Sequence, residues 1–295
     1  MPLQITQTIA AAKLPERPGG GHKGTFGHVF VVGGSPGFTG ALKLAGLGAA
    51  RAGAGLVTLG VPESLMTIVG AQLLECMTFP LPESSAHGLA LGGLDTALEF
   101  ASNKEAVVLG PGCSRHPDTC AFVLEFVRKC PAPMVVDADG LNNLSSNIDV
   151  LDDAQSPVIL TPHPGEMARL TGKSTSEVQS DRAGIARAFA KNHGCTVVLK
   201  GEGTIIASPG SDPYINPTGN DGMGTGGTGD VLSGVIGGLL AQGLPIADAA
   251  IAGVYAHGLA GDIAAGRKGR RGMIAGDVLE ALPEAWMQLE RERST

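Results

Sequence analysis

No apolar run in the 295-residue chain approaches the roughly 18 residues of a membrane span. No cationic-plus-apolar leader stands at the N-terminus either, so a cytoplasmic protein with no membrane partner is expected. Basic excess is missing too: 21 Lys and Arg against 28 Asp and Glu leave a formal charge of −7. That excludes sequence-independent nucleic-acid binding, which needs a basic surface, and an anionic ligand must then be held by local amides and a few cations. None of the five cysteines (Cys76, Cys113, Cys120, Cys130 and Cys195) forms a C-x-x-C pair, and their number is odd. The pattern argues for reduced thiols and against a disulfide framework. Aromatics are only 4% of residues, whereas 45 are glycine and 43% are apolar, which suits helices packed closely on a sheet. No repeat, low-complexity linker or composition break divides the chain. Residues 1–295 read as a single domain, with residues 1–20 as a lead-in.

Apolar runs of strand length alternate with stretches of helical period. Strands are expected at His28–Val32, Leu56–Val61, Leu74–Phe79, Ala106–Leu109, Met134–Asp137, Val158–Thr161, Thr196–Lys200 and Thr204–Ala207. Between them fall helices over Thr39–Ala52, from Pro62, near Leu94–Phe100, over Asp118–Lys129, from Gly165, and over Ser176–His193 as one long element. Three more are expected near 230–242, 246–265 and 276–291, with the Leu282-Pro283 step breaking or kinking the last. Such alternation implies βαβ units, hence an α/β three-layer αβα sandwich around a mostly parallel sheet.

The most informative stretch is Asn216–Gly234, where Gly226, Gly227, Thr228, Gly229 and Asp230 lead into a helix-period run. Glycines strip side chains from a tight turn, so successive N–H groups can converge with the positive end of a helix on a phosphate or a developing anion. Asp230 would stand beside that point, facing a substrate hydroxyl. Gly224, Gly226 and Gly229 formally fit a dinucleotide fingerprint, but turn formers precede them and Asp248, the nearest later acid, lies in an Ala-rich helical run. A purely structural glycine turn is the other reading.

Further stations follow predicted strands, where open α/β folds collect ligands. Gly33–Ala41 resembles a phosphate loop without a Gly-Lys-Ser/Thr ending and reads as a close-approach loop for a substrate. Gly110 and Gly112 bring backbone near a ligand or merely turn the chain. Asp137, Asp139 and Asn142 could position a metal hydrate or substrate hydroxyls, or Asp139 could cap a helix. His163 and Glu166, three apart across a Pro-Gly turn, are expected to project into one cleft. Lys200 ends a strand and suits a nucleotide, or is a surface lysine.

In this order, the motifs His22-Lys-Gly, Val32–Ala41, Arg51–Thr58, Asp137–Asn142, Thr161–Glu166, Lys200–Thr204 and Asn220–Asp230 resemble the ribokinase-like superfamily. More narrowly, they resemble its ADP/ATP-dependent NAD(P)H-hydrate dehydratases. Thr25 stands where members often carry Asp or Asn, and Gly224 where Ala is common. The resemblance implies phosphorylation of the carbon-6 hydroxyl of hydrated NADH or NADPH (NADHX or NADPHX), followed by loss of phosphate. Asp230 would be the catalytic acceptor of the hydroxyl proton, with Gly227, Thr228 and Gly229 stabilising the transferring group. A helix N-terminus lowers a carboxylate's pKa, so Asp230 is expected to be a weak base. Ala41, Gly112, His163 and Asp230 are implied for the hydrated dinucleotide, and Lys200, Gly201, Glu202, Gly203, Thr204 and Gly229 for ADP or ATP. Glu166 is implied to act on Mg²⁺ through water. The resemblance also implies a homotetramer. The chain is expected to lack an epimerase domain and to cooperate with a separate epimerase. ADP is the expected donor, with an ATP-dependent enzyme, a vitamin-precursor kinase or a non-catalytic nucleotide-binding protein as alternatives.

Overall fold

The structure is a computed structural model that describes residues 2–71 and 73–294. Its strands are β1 (Leu3–Gln4), β2 (His28–Val32), β3 (Leu56–Pro62), β4 (Met77–Leu81), β5 (Ala106–Leu109), β6 (Met134–Val136), β7 (Val158–Leu160), β8 (Thr196–Leu199), β9 (Ile205–Ala207) and β10 (Tyr214–Ile215). The helices are α1 (Gln7–Ala12), α2 (Thr39–Arg51), α3 (Met66–Gly70), α4 (Leu94–Ala101), α5 (Pro117–Lys129), α6 (Asp139–Leu144), α7 (Pro164–Thr171), α8 (Thr175–Ser180), α9 (Arg182–Asn192), α10 (Thr228–Ala241), α11 (Ile246–Lys268) and α12 (Ala275–Arg293).

All the strands join one sheet in the order β1-β10-β9-β8-β7-β6-β5-β2-β3-β4. From β8 to β4 every pairing is parallel, while β9 runs antiparallel to both β8 and β10. The chain winds outward from β2 through β3 to β4, then returns to the other side of β2 with β5. The β2–β5 boundary is therefore the switch point of the sheet, where the loops after two neighbouring strands part company.

Strands with two buried faces explain the two cores. In β5, Val107 and Leu109 face a cluster with Phe122, Phe126, Leu141, Met167 and Phe189, under α4 to α9. Ala106 and Val108 face the other way, onto Leu42, Leu232, Ile236 and Ile251 of α2, α10 and α11. A third cluster packs α12 outside α10 and α11. This is the expected three-layer α/β arrangement.

Close approach of α2 and α10 fixes where α10 begins. A Cβ built on Gly234 would lie 1.9 Å from the Ala45 carbonyl oxygen, so only glycine lets the two helix backbones touch there.

Three expectations differ from the structure. Ser176–His193 is two helices, because Asp181 leaves the helical region and its carboxylate accepts the Gly184 N–H as the cap of α9. The strand expected at Leu74–Phe79 runs from Met77 to Leu81, in register with β3. Pro283 does not break α12: the ring lies on the exposed face while Leu279, Leu282 and Ala285 on either side of it stay packed in the third cluster, which holds the helix through the lost bond. Two short strands at one end of the sheet, β1 and β10, and the helix α6 carry too few residues to show a period.

Candidate active site

Five neighbouring parallel strands, β8, β7, β6, β5 and β2, end at one edge of the sheet, and a station follows each. Lys200 follows β8, His163 and Glu166 follow β7, Asp137 follows β6, Gly112 follows β5, and the Gly33–Ala41 loop follows β2. The segments read separately in the sequence thus form one row.

At its centre Lys200 Nζ donates to Asp137 Oδ1 at 2.7 Å and lies 3.8 Å from Glu166 Oε2. The bond spans from β8 to β6 over the end of β7. Asp137 is 1% exposed and the Lys200 side chain 18%, so Lys200 is no surface lysine. Burial pulls the ammonium's pKa down, but Asp137, Glu166 and Asp230 together outweigh it and push the pKa upward. α10 completes the cluster from above: a Cβ on Gly229 would lie 3.3 Å from Lys200 Nζ and 3.9 Å from Asp137 Oδ2.

Gly227 begins α10 in the left-handed region, φ +96°, with no side-chain cap. A Cβ there would also lie 2.5 Å from Leu44 Cδ1. Thr228 is turned inward and is buried. Its hydroxyl donates to the Met223 and Thr225 carbonyls, and its own carbonyl accepts from His257 Nε2 at 2.9 Å. Burial pushes His257 down to about 4, so it is a neutral brace beneath the turn. Asp262 holds the approach by accepting from Gly219 N and Asn220 Nδ2.

Asp230 departs from expectation. Burial and the Asp137 charge push it up to about 7 despite Lys200 nearby and the helix N-terminus. Its carboxyl therefore titrates near neutrality and not below the usual carboxylate range. Glu166 is raised to about 7 as well, by burial against the opposing pull of Lys200.

His163 and Glu166 do lie together, for a local reason. His163 Nδ1 accepts from Gly165 N and Glu166 N, and Glu166 Oε2 accepts from His163 N at 2.8 Å, a reciprocal cap on α7. Nδ1 is occupied as an acceptor, so the proton sits on Nε2, which is 3.4 Å from Glu166 Oε1. Burial, with Lys200 and Arg169 close by, lowers the His163 pKa.

At the switch point, Gly112 (φ +63°) abuts Phe38: a Cβ there would lie 2.5 Å from the Phe38 carbonyl oxygen. Ser35 Oγ donates to the Gly112 carbonyl at 2.8 Å. Ala41 sits in the first turn of α2, three residues past Phe38. Ala41 and Gly112 are therefore brought together at the switch point, whereas His163 lies two strands away. Asp139 does not cap α6; its carboxylate accepts from Ser114 N and Asn142 Nδ2 and ties the β5 and β6 loops together.

The Lys200–Thr204 turn is held from below by Arg182, which donates to the carbonyls of Leu199, Lys200 and Glu202. Sequence reading passed over Arg182, His257 and Arg169, since single charged residues in helices carry no spacing signal. Asp137, an acid immediately after a buried strand, did carry one. The two departures are mild: Thr25 Oγ accepts from His22 N, and a Cβ on Gly224 would meet only the Asp221 carbonyl, at 3.2 Å.

The NAD(P)H-hydrate dehydratase family matches residues 29–284. The chain belongs to that family. A bifunctional NAD(P)H-hydrate repair enzyme from Moorella thermoacetica is 47% identical over 291 residues, 99% of this chain and 55% of that protein. The chain thus spans about half the length of the bifunctional curated relatives it matches. An ADP-dependent (S)-NAD(P)H-hydrate dehydratase from Neisseria meningitidis is 39% identical over 88% of this chain and 85% of its own. The crystal structure of an ADP/ATP-dependent NAD(P)H-hydrate dehydratase from Bacillus subtilis, co-crystallised with ATP and Mg²⁺, superposes with a TM-score of 0.83. It is 31% identical and covers 98% of this chain and 99% of that one.

Proposed function

We propose that this member of the family is an ADP-dependent dehydratase of hydrated NADH and NADPH. The observation that carries the reading is the meeting of Asp230, the Gly227–Gly229 turn and Lys200 at one point of the sheet edge. The donor preference is supported by the Neisseria relative's name, while the Bacillus enzyme is named for both nucleotides.

In the first step the carbon-6 hydroxyl oxygen attacks the terminal phosphorus of the nucleotide. The bond from that phosphorus to the bridging oxygen breaks, and AMP leaves when ADP is the donor. The hydroxyl proton passes to Asp230, which burial has made basic enough to take it. The Gly227–Gly229 amides and the Lys200 ammonium face the charge gathering on the transferring oxygens. In the second step the carbon–oxygen bond breaks, with the ring nitrogen's lone pair assisting. Phosphate departs with the electrons of that bond, and a proton then passes from carbon 5 to the released phosphate or to water, which returns the reduced nicotinamide. Phosphate is the better leaving group than hydroxide, which is why the nucleotide is needed.

Ala41, Gly112 and His163 are assigned to the hydrated dinucleotide, and Lys200–Thr204 with Gly229 to the nucleotide. Among the described residues no three His, Cys, Asp or Glu side chains are grouped to hold a metal. Glu166 is buried with one oxygen already bonded, so it fits a role toward Mg²⁺ through water, the ion being held chiefly by phosphate oxygens. Bound there, Mg²⁺ would neutralise phosphate charge.

A homotetramer and cooperation with an epimerase rest on the resemblance alone; light scattering tests the first. A cytoplasmic location is supported by five free cysteines. Among the described residues no helix is long and apolar enough to cross a membrane. The deciding assay supplies hydrated NADH, Mg²⁺ and either ADP or ATP, and follows recovery of reduced-nicotinamide absorbance. Recovery is expected with ADP. No recovery with either nucleotide, together with stable phosphorylation of an alcohol, would make the protein a kinase.

A further inference from the structure

Asp137 is the one carboxylate of the cluster that no part of this mechanism uses, and it is the most deeply buried. Its Oδ1 takes the Lys200 ammonium at 2.7 Å, while Glu166 stands at 3.8 Å. The Gly229 backbone lies beside both members of the pair. Three elements that meet nowhere else in the sequence, the ends of β6 and β8 and the start of α10, thus converge on one ammonium.

We propose that Asp137 is a positioning residue, which anchors Lys200 over the Gly227–Gly229 turn and keeps the ammonium from pairing with Asp230. The charge count motivates this. Lys200 faces Asp137, Glu166 and Asp230 at once, with Arg169 adding its charge at Glu166, so whichever carboxylate binds the ammonium most closely leaves the others less compensated. With Asp137 as the partner, Asp230 keeps the free oxygen lone pairs that a proton acceptor requires. Without Asp137, Lys200 turns to the carboxylates that remain, and an Asp230 held in an ion pair becomes a poorer base. A pair that only joined two loops would have no such consequence.

The inference rests on the dehydratase reading for its substrate, so two assays run side by side. One is recovery of reduced nicotinamide; the other is slow transfer of the terminal phosphoryl group of ATP to water, which needs no hydrated dinucleotide. Asp137→Asn should lower kcat about tenfold or more while the nucleotide KM stays within about threefold. Lys200→Met should lower kcat too. If Asp137 acts through Lys200, the double variant should lose no more than Lys200→Met alone. Should Asp137→Asn not accumulate as folded protein, Asp137→Ala replaces it, and added formate should restore part of kcat. Additive losses, an unchanged kcat in a variant of lower melting temperature, or no response to formate would overturn the proposal. If wild type fails with the hydrated dinucleotide yet the cycle holds for phosphate release, the dehydratase reading falls and the role of Asp137 stands.

Discussion

Two helices start at the same edge of the sheet and treat their first turns in opposite ways. α7 consumes its own N-terminus: His163 takes two of its amides, and Glu166 reaches back to the His163 N–H. α10 starts on a left-handed glycine with no side-chain cap, and its acid, Asp230, is left to face the lysine–carboxylate cluster. The orphan amides of a helix start need partners. At α7 the chain supplies them, and at α10 they are left open to water or, on the proposed function, to a phosphate. The first arrangement stabilises the fold, and the second, on the proposed function, keeps its amides for the transferring phosphoryl group.

Asp230→Asn tests the open end and should have the largest effect. Removing a positioned base costs roughly 10²- to 10⁴-fold in kcat, with nucleotide affinity changed only a few fold. In wild type, kcat should rise with pH and level off above about 7, where Asp230 has lost its proton. The same raised pKa has a stability consequence of opposite sense. Between the ordinary carboxylate value and about 7 the folded protein binds the proton that the unfolded chain has already released, so wild-type stability falls as pH rises through that window. Asp230→Asn should therefore gain stability relative to wild type from pH 4 to 7 and keep the gain above. A pH-independent difference in denaturation midpoint would contradict the raised pKa.

Matched glycine substitutions sharpen the contrast. Gly229→Ala places a methyl 3.3 Å from Lys200 Nζ, at the flexible end of a side chain. Alanine suits a helix start, so folding stability should hold while kcat drops on the order of tenfold through a displaced donor. Gly165→Ala in α7 places its methyl 3.0 Å from His163 Cε1 and 3.2 Å from Nδ1. It should cost about 1 kcal/mol of stability by displacing the cap. Kinetics and urea denaturation on both variants check the pair. Equal effects would erase the difference between the two ends.

How much of this was legible beforehand follows the same division. The glycine turn was readable because special backbone demands special residues in an uninterrupted run, and the strands around it because buried parallel strands are continuously apolar. His163 and Glu166 were visible as a pair, but only coordinates show that their bonds run to each other's backbone. Asp137 and Lys200 are 63 residues apart, and nothing local announces that β6 and β8 end one strand apart. The Asp230 pKa was misjudged for the same reason: the helix dipole is local and readable, while burial and the Asp137 charge belong to the assembled fold.

Arg182 marks a middle ground, a cation whose hydrogen bonds go to three carbonyls of one turn. Arg182→Met keeps much of the apolar stem but leaves the Leu199, Lys200 and Glu202 carbonyls without their donor. The Lys200–Thr204 turn should loosen. Nucleotide KM should rise about tenfold, the equivalent of roughly 1.4 kcal/mol, with a smaller change in kcat. Steady-state kinetics over a nucleotide series would show it, and a kcat effect larger than the KM effect would place Arg182 in the chemical step instead.

The smallest effect separates the two jobs of His163. His163→Ala removes an N-cap and should cost about 1 kcal/mol, whereas His163→Asn supplies another good capping side chain and should come close to neutral. If His163 Nε2 also binds the hydrated dinucleotide, both variants should raise its KM by a similar few fold, since neither places a donor at that position. Denaturation midpoints separate Ala from Asn, and KM separates both from wild type. A stability loss in the Ala variant with KM unchanged in both would assign His163 to the fold alone, making α7 a helix that is capped for its own sake.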